Sequence, residues 1–227
     1  MTQARVTYVG GNKGGVGKSM VAMSVIDYLM DIGDPPMLIE TDTGNPDVAK
    51  AYEQTVRTET VNLDDVDGWI DLANLMPEAT TGLVINSAAR SQKGLSSNWE
   101  ILRAAAAELK KQITVIWVIN RQRESVEALR DFADSVPETR IVVLKNTYFG
   151  APEKFSIYDD SKTRKLIEAN GGATIDFPEL ADRVADDIIN RRLTISKAAE
   201  VMQIGNRIEL GRWKKAVVEV LGKVYGI

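Results

Sequence analysis

Two residue types that carry much of protein chemistry are missing from this chain of 227 residues, which contains neither cysteine nor histidine. Without cysteine there is no disulfide, no thiol nucleophile and no thiolate metal site. Without histidine there is no imidazole base, no Ser-His-Asp triad and no histidine-ligated zinc. Any chemistry must therefore use carboxylates, lysine, hydroxyls, backbone amides and a hard metal ion.

Long hydrophobic runs are missing as well, because no stretch approaches the ~20 apolar residues that span a bilayer. The first residues, MTQARVTYVGG, contain a short β-like run and lack the long apolar segment of a signal peptide. We therefore expect a cytoplasmic protein. With 44% apolar and 26% charged residues, the composition is that of an ordinary globular domain.

Short apolar runs alternate with helical patterns along the whole chain. The strands are predicted at residues 6–9, 37–39, 82–85, 113–119, 141–144 and 174–177. The helices are predicted at residues 21–30, 69–75, 99–111, 125–135, 162–169, 178–191, 196–202 and 208–224, with Pro178 at the first position of its helix. Residues 146–160 are predicted to be a long functional loop. This alternation predicts an α/β fold of three layers, a mostly parallel sheet with helices on both faces, as one domain over residues 1–227.

The strongest motif is GGNKGGVGKS at residues 10–19, which follows a predicted strand and opens a predicted helix. Its glycines allow successive amides to point inward around phosphate oxygens, and the helix N-terminus adds positive charge. Lys18 can reach the β- and γ-phosphates, and the Ser19 hydroxyl can bind Mg²⁺. Asn12 replaces the usual first glycine of such a phosphate-binding loop (P-loop). The predicted nucleotide contacts of the loop are Lys13, Gly14, Gly15, Val16, Gly17, Lys18, Ser19 and Met20.

A second lysine, Lys13, completes the sequence KGGVGKS at residues 13–19. This sequence resembles the signature of the deviant Walker A ATPases, the ParA/MinD superfamily of P-loop proteins. The resemblance implies a P-loop NTPase fold, ATP and Mg²⁺ as ligands, and a homodimer that forms around two ATP molecules. In such a dimer Lys13 would reach the phosphates of the partner's nucleotide and act in catalysis together with Lys18.

The resemblance extends to two acidic positions that follow the second predicted strand, Glu40 and Asp42, where the superfamily commonly has aspartate at both. It implies that Asp42 lies near Mg²⁺ and the attacking water. The third predicted strand should end in an aspartate of the Walker B motif, but this chain has Asn86 there. An amide can hydrogen bond a metal-bound water without carrying charge, so Asn86 is expected to slow hydrolysis and not to prevent nucleotide binding.

The adenine base would lie further along the sheet edge. The resemblance matches Asn146 to a base-reading asparagine, whose amide both donates and accepts hydrogen bonds. It matches Phe177 and Pro178 to a segment that lines the base through backbone groups. Two simpler interpretations remain, in which Asn146 only caps a strand and Pro178 only begins a helix.

Several shorter segments are similar to the plasmid TraL/StbB-type branch of the superfamily, whose members belong to conjugation operons and plasmid stability modules. The segments that carry this similarity are residues 17–20, 145–150, 177–180 and 192–195. The branch implies a role in plasmid partition or stability, or in conjugative transfer.

The end of the chain differs from the rest in charge. Residues 191–227 contain eight basic and three acidic residues and carry a net charge of +5, against −9 for residues 1–190. This basic helical region has three possible roles: packing on the sheet, contact with plasmid DNA and, least favoured, membrane binding. The residues considered for DNA contact are Arg191, Arg192, Arg207, Arg212, Trp213, Lys214 and Lys215, and the apolar stripe is formed by Ile208, Trp213, Val217, Val220, Leu221 and Val224.

These features predict a slow ATPase that switches between monomer and dimer and works with DNA or a DNA-bound partner protein. Two alternatives remain open. One is an adaptor that binds nucleotide without hydrolysing it, which Asn86 favours. The other is an enzyme of the same superfamily that uses ATP to activate a carboxylate, which Lys13 argues against.

Overall fold

A parallel sheet forms the centre of the protein, seen in a computed structural model that describes residues 5–11, 15–88 and 92–226. The strands are β1 (Arg5–Gly11), β2 (Met37–Glu40), β3 (Thr58–Thr60), β4 (Leu83–Asn86), β5 (Gln112–Ile119), β6 (Arg140–Asn146) and β7 (Ala173–Phe177). They are ordered β3-β2-β4-β1-β5-β6-β7, and every adjacent pair is parallel. The carboxyl ends of β1, β2 and β4 therefore meet at one edge of the sheet.

Helices cover both faces of this sheet. They are α1 (Lys18–Asp31), α2 (Asp47–Tyr52), α3 (Val66–Leu75), α4 (Gln92–Glu108), α5 (Arg123–Ser135), α6 (Ser156–Asp159), α7 (Lys162–Ala169), α8 (Asp182–Asn190), α9 (Ile195–Val201) and α10 (Ile204–Tyr225). The helices α1, α2 and α8–α10 contribute to one hydrophobic core and α3–α7 to the other. The predicted three-layer α/β fold is confirmed.

The central strands show why the sheet is buried on both faces. In β5 the side chains of Val115 and Trp117 enter one core, whereas Ile116 and Val118 enter the other. Because successive side chains of a strand point to opposite faces, a continuous apolar run of this kind requires helices on both sides.

Two short elements, α2 and β3, were not predicted. The β3 sequence is Thr-Glu-Thr, which lacks apolar residues because this strand lies at the edge of the sheet and pairs only with β2 among the described strands. The helix α2 has six residues, too few for a helical repeat to be recognised in the sequence. Its position is set instead by burial of Val48, Ala49 and Tyr52.

Two predictions about the later part of the chain were wrong. Residues 146–160 are not one open loop, because they form 3₁₀ turns at Thr147–Phe149 and Pro152–Phe155 followed by α6, with Phe155 and Tyr158 buried. Pro178 does not begin a helix, because α8 begins four residues later, at Asp182. The segment between Pro178 and α8 is held by the buried Leu180 and by a hydrogen bond from Trp213 Nε1 to the Pro178 carbonyl, at 2.9 Å.

Candidate functional site

The P-loop connects the carboxyl end of β1 to the first turn of α1. Gly17 is the N-cap residue of α1 and has a backbone φ of 99°, a conformation that residues with a Cβ rarely adopt. Lys18 is 8% exposed, and burial lowers the pKa of its amine while the carboxylate of Asp42 opposes that shift. Ser19 is exposed on the first helical turn. The loop therefore presents a buried cation and a hydroxyl at a helix N-terminus, which is where an anion binds most readily. Asn12, Lys13 and Gly14 lie outside the described residues.

Next to the P-loop, the ends of β2 and β4 place Glu40 beside Asn86. The two residues are register partners in adjacent parallel strands, so their side chains share one face of the sheet. Asn86 Nδ2 donates hydrogen bonds to both Glu40 carboxylate oxygens, at 2.9 and 3.1 Å. The backbone amides of Asp42 and Ala49 donate to the same carboxylate, at 3.0 and 3.4 Å. Burial raises the pKa of Glu40 to about 7, although these hydrogen bonds by themselves would lower it.

The same edge contains the predicted metal and water residues. Asp42 is half-buried and accepts a hydrogen bond from the amide of Asn45 at 3.0 Å. Asn86 Oδ1 is buried and has no hydrogen-bond partner within the described ranges. Nowhere in those ranges do three or more acidic residues form a metal site by themselves. We call Glu40, Asp42 and Asn86 the β2–β4 edge; its oxygens suit Mg²⁺ only if further ligands, such as phosphate oxygens, are added.

A cavity of about 200 Å³ adjoins the other side of the P-loop. We call it the aromatic cavity. It is lined by Gly15, Gly17, Met20, Asn146, Tyr148, Phe177, Pro178, Leu180, Asp182, Ala185, Asp186, Ile189 and Trp213. The first three of these are predicted nucleotide contacts of the P-loop, and Asn146, Phe177 and Pro178 are the residues predicted to contact the base. Val16, Lys18 and Ser19 do not line the cavity: the Val16 side chain is buried in the hydrophobic core, and Lys18 and Ser19 lie on the first turn of α1.

Asn146 connects the cavity to the P-loop. Its Nδ2 donates to the Val16 carbonyl at 2.9 Å, and its Oδ1 accepts from the Tyr148 amide at 3.1 Å. The side chain therefore caps the turn after β6, as the simpler interpretation held, and also braces the P-loop. A Cβ at Gly17 would collide with this amide. Each polar atom of the Asn146 side chain keeps one further hydrogen-bonding position, so capping and base recognition are compatible.

The backbone carbonyls of Phe177 and Pro178 already accept hydrogen bonds within the protein. The Thr147 hydroxyl donates to the Phe177 carbonyl at 2.8 Å, and the Trp213 indole donates to the Pro178 carbonyl at 2.9 Å. Both residues line the aromatic cavity, and these two carbonyls fix its wall in place. Any contact of these residues with a ligand would rely on their ring surfaces and on remaining carbonyl lone pairs.

The sequence and the fold of this chain were compared with those of known proteins. No protein-family model matches the chain. Protein MobD of Acidithiobacillus ferrooxidans is 48% identical over 214 residues, which are 94% of each chain. Protein TraL of Escherichia coli is 26% identical over 211 residues, 86% of this chain and 87% of TraL. The MinD cell division protein of Aquifex aeolicus superposes with a TM-score of 0.56 at 13% identity, covering 96% of this chain and 97% of MinD. The chain belongs to the same family as MobD. It is also similar in sequence to TraL, and it shares the fold of MinD.

Two further solved structures share the fold. A plasmid partition protein from Borrelia burgdorferi has a TM-score of 0.54 at 14% identity, over 98% of this chain and 99% of that one. The septum site-determining protein MinD of Pyrococcus horikoshii, in complex with Mg-ADP, has a TM-score of 0.51 at 14% identity, over 97% of this chain and 98% of that one. At these identities the comparisons show a common fold and nothing finer.

Within this ParA/MinD fold, the basic C-terminal region packs against the body of the protein. Five of the six residues of the predicted apolar stripe are buried, and Ile208 is the exception at 68% exposed. Trp213, considered above for DNA contact, is 2% exposed and lies edge-on to Phe177 with ring centroids 5.9 Å apart. Sequence reasoning missed its part in the aromatic cavity, although its place in the apolar stripe signalled burial.

Several of the basic residues considered for DNA contact form ion pairs within the protein. Lys214 Nζ lies 2.6 Å from Asp27 and 2.9 Å from Asp31, both on α1. Arg191 pairs with Asp187, and Arg212 pairs with Glu209. The burial of its apolar stripe and the ion pair of Lys214 therefore show that α10 packs on the body of the protein.

Across the described ranges, no helix is both long enough and apolar enough to cross a membrane.

Proposed function

We propose that this chain is a cytoplasmic ATP-binding switch that hydrolyses ATP slowly, forms a homodimer when ATP is bound, and serves plasmid partition, plasmid stability or conjugative transfer. One observation carries the proposal: the P-loop, with Lys18 buried at the start of α1, is continuous with the aromatic cavity through Gly15 and Gly17. A triphosphate on the loop would leave its base next to that cavity.

The residues present fit both ligands. The helix N-terminus, Lys18 and the loop amides suit phosphate, with Gly14 and Lys13 added by the motif. Ser19, Asp42 and Asn86 supply oxygen groups of the kind that hold Mg²⁺ and its water ligands, and Asn86 Oδ1 has no hydrogen-bond partner in the part of the chain that the structure describes. When bound, Mg²⁺ would balance the charge of the triphosphate; Asp42 would orient the attacking water, and Lys13 would act across the dimer.

The aromatic cavity suits a flat heterocycle. Phe177 and Trp213 supply apolar ring surface, and the carboxylates of Asp182 and Asp186 supply hydrogen-bond acceptors. An exocyclic amine such as that of adenine donates to acceptors of this kind. Asn146 adds both a donor and an acceptor at the wall shared with the P-loop.

The test is binding of a fluorescent ATP analogue together with phosphate release and size exclusion, each with and without ATP and Mg²⁺. Lys18→Ala should weaken nucleotide binding about 100-fold or more, since it removes a buried charge from its phosphate partners. Lys165→Ala changes an exposed lysine on α7 and should leave binding unchanged. Unchanged affinity in Lys18→Ala would show that the nucleotide site is wrong.

The same assays separate the alternatives. An adaptor would bind ATP and dimerise without releasing phosphate, and a carboxylate-activating enzyme would turn over ATP only with a small carboxylic acid. Lys13→Ala should prevent either the formation of ATP-dependent dimers or the hydrolysis of ATP by those dimers, while leaving ATP binding intact. Adding plasmid DNA tests whether DNA, or a protein bound to it, stimulates the reaction.

A further inference from the structure

The two departures of this chain from the superfamily pattern lie side by side. Asn86 stands where the Walker B aspartate is expected, and its register partner on β2 is Glu40, where the pattern has the shorter aspartate. The pair therefore has one carboxylate where the superfamily pattern has two, and that carboxylate lies on β2 at the end of a longer side chain.

The hydrogen bonds fix the orientation of the Asn86 amide. Its Nδ2 is held by both oxygens of Glu40, and the pair is buried, with Glu40 0% and Asn86 4% exposed. Because Nδ2 faces the carboxylate, Oδ1 lies on the opposite side of the amide. That oxygen is a buried acceptor without a partner among the described residues, which is costly unless a ligand or water satisfies it.

We infer that Glu40 is a positioning residue for Mg²⁺: it holds Asn86 with Oδ1 oriented to accept a hydrogen bond from a metal-bound water, and its carboxylate polarises that amide through the hydrogen bonds to Nδ2. This inference rests on the proposed binding of Mg²⁺ and nucleotide. Carboxylates behind a metal's immediate ligands commonly orient those ligands, and replacing them typically costs about 10- to 100-fold in metal affinity or activity.

A purely structural role for Glu40 is the competing explanation, since its carboxylate also accepts from the amides of Asp42 and Ala49 and so joins β2 to α2. The two explanations differ in what they predict for Mg²⁺. A structural tie changes stability only, whereas a positioning residue changes the Mg²⁺ dependence of nucleotide binding in a protein that remains folded.

The experiment titrates Mg²⁺ into wild type and variants with a fluorescent ATP analogue at pH 8, and repeats the nucleotide titration in EDTA. Glu40→Gln should raise the half-saturating Mg²⁺ concentration about tenfold and leave the affinity in EDTA within about twofold. The exchange variant Glu40→Gln/Asn86→Asp returns one carboxylate and one amide to the pair. It should restore the Mg²⁺ dependence to within about threefold of wild type.

Thr41→Val is the matched control. The Thr41 hydroxyl donates to the Asn86 carbonyl at 3.1 Å and accepts from the Ala88 amide at 2.8 Å, so this variant loosens the same strand ends without changing charge. It should lower the melting temperature and leave the Mg²⁺ dependence unchanged. Glu40→Gln with wild-type Mg²⁺ dependence, or an equal loss in Thr41→Val, would overturn the inference while nucleotide binding stands. Wild type that binds no nucleotide would overturn the proposed function and this inference with it.

Discussion

The phosphate side of the site and the aromatic cavity are assembled from different parts of the chain. The phosphate side consists of the P-loop, which connects β1 to α1, and the β2–β4 edge, in which Glu40 and Asn86 are the last residues of their strands. The aromatic cavity combines the P-loop with the segments after β6 and β7 and with two helices, up to Trp213 on α10. The first depends on strand register and the second on how helices pack.

Because the two sides are assembled differently, we expect them to be sensitive to different kinds of substitution. A strand register is fixed by many backbone hydrogen bonds, so the phosphate side should respond to changes of charge more than to changes of volume. The aromatic cavity depends on close packing of a few large side chains, so it should respond to changes of volume. Three variants, each with its control, test this expectation.

Trp213→Ala should have the largest effect. Truncating a fully buried tryptophan should lower the free energy of unfolding by about 3–5 kcal/mol, through lost burial and the space left behind. It also removes the ring that packs on Phe177 and the donor to the Pro178 carbonyl. Nucleotide affinity should fall as well, and the preference for ATP over GTP should weaken. Denaturant unfolding and competition binding at low temperature measure these effects.

Trp99→Ala is the control for this variant. Trp99 is also 2% exposed, but it lies on α4 in the opposite core, packed against Tyr8, Trp69 and Phe132. It should lose similar stability while nucleotide affinity stays within about twofold of wild type. An equal loss of affinity in both variants would mean that the aromatic cavity has no special part in binding.

The contrast also explains what the sequence could predict. The fold and the P-loop follow from short-range patterns: the apolar run of β5, the glycines around Lys18, and the alternation of strands with helices. The Glu40–Asn86 contact could have been found by aligning the ends of β2 and β4, because register alone brings these residues together. Trp213 could not be assigned to the cavity from the sequence. It contacts Pro178, which lies 35 residues earlier in the chain, and no local pattern predicts a contact over that separation. The position of Lys13 stays a prediction.

On the phosphate side, the charge of Glu40 should make the stability of the protein depend on pH. Its pKa in the folded protein, raised by burial to about 7, lies above the ordinary carboxyl value of 4.5. The folded state therefore binds more protons than the unfolded state between these values, and stability should fall as pH rises from about 4.5 to 7. The full difference is about 3 kcal/mol. Urea unfolding of the nucleotide-free protein at pH 5 and pH 8 measures it.

Glu40→Gln should remove this dependence, so its stability relative to wild type should improve as pH rises. Glu100→Gln is a control of the opposite sign, because a hydrogen bond from Arg103 lowers the pKa of the exposed Glu100. If the stability of the wild type and that of Glu40→Gln depended on pH in the same way, the pKa of Glu40 would not be raised in the folded protein.

We expect the smallest effect from Lys214→Met. This variant tests whether the ionic contact between α10 and α1 couples the phosphate side to the aromatic cavity. Lys214 joins α10 to α1, the P-loop helix, through the buried Asp27, and Asp27 also accepts from the Ser196 hydroxyl at 2.6 Å. Removing the lysine leaves Asp27 with the serine as its remaining side-chain donor in the described structure. We expect a loss of about 2 kcal/mol, below the range for a fully buried pair that loses one partner.

Asp27→Asn/Lys214→Met removes both charges and should regain most of that stability, which a double-mutant cycle in urea will measure. Nucleotide affinity should stay within about twofold of wild type in Lys214→Met, because Trp213 remains fixed by Phe177 and Pro178 even when the ionic contact is lost. A larger loss of affinity would contradict the independence of the phosphate side and the aromatic cavity. It would mean that the ionic contact between α1 and α10 sets the position of Trp213, and that the P-loop helix and the aromatic cavity respond as one unit.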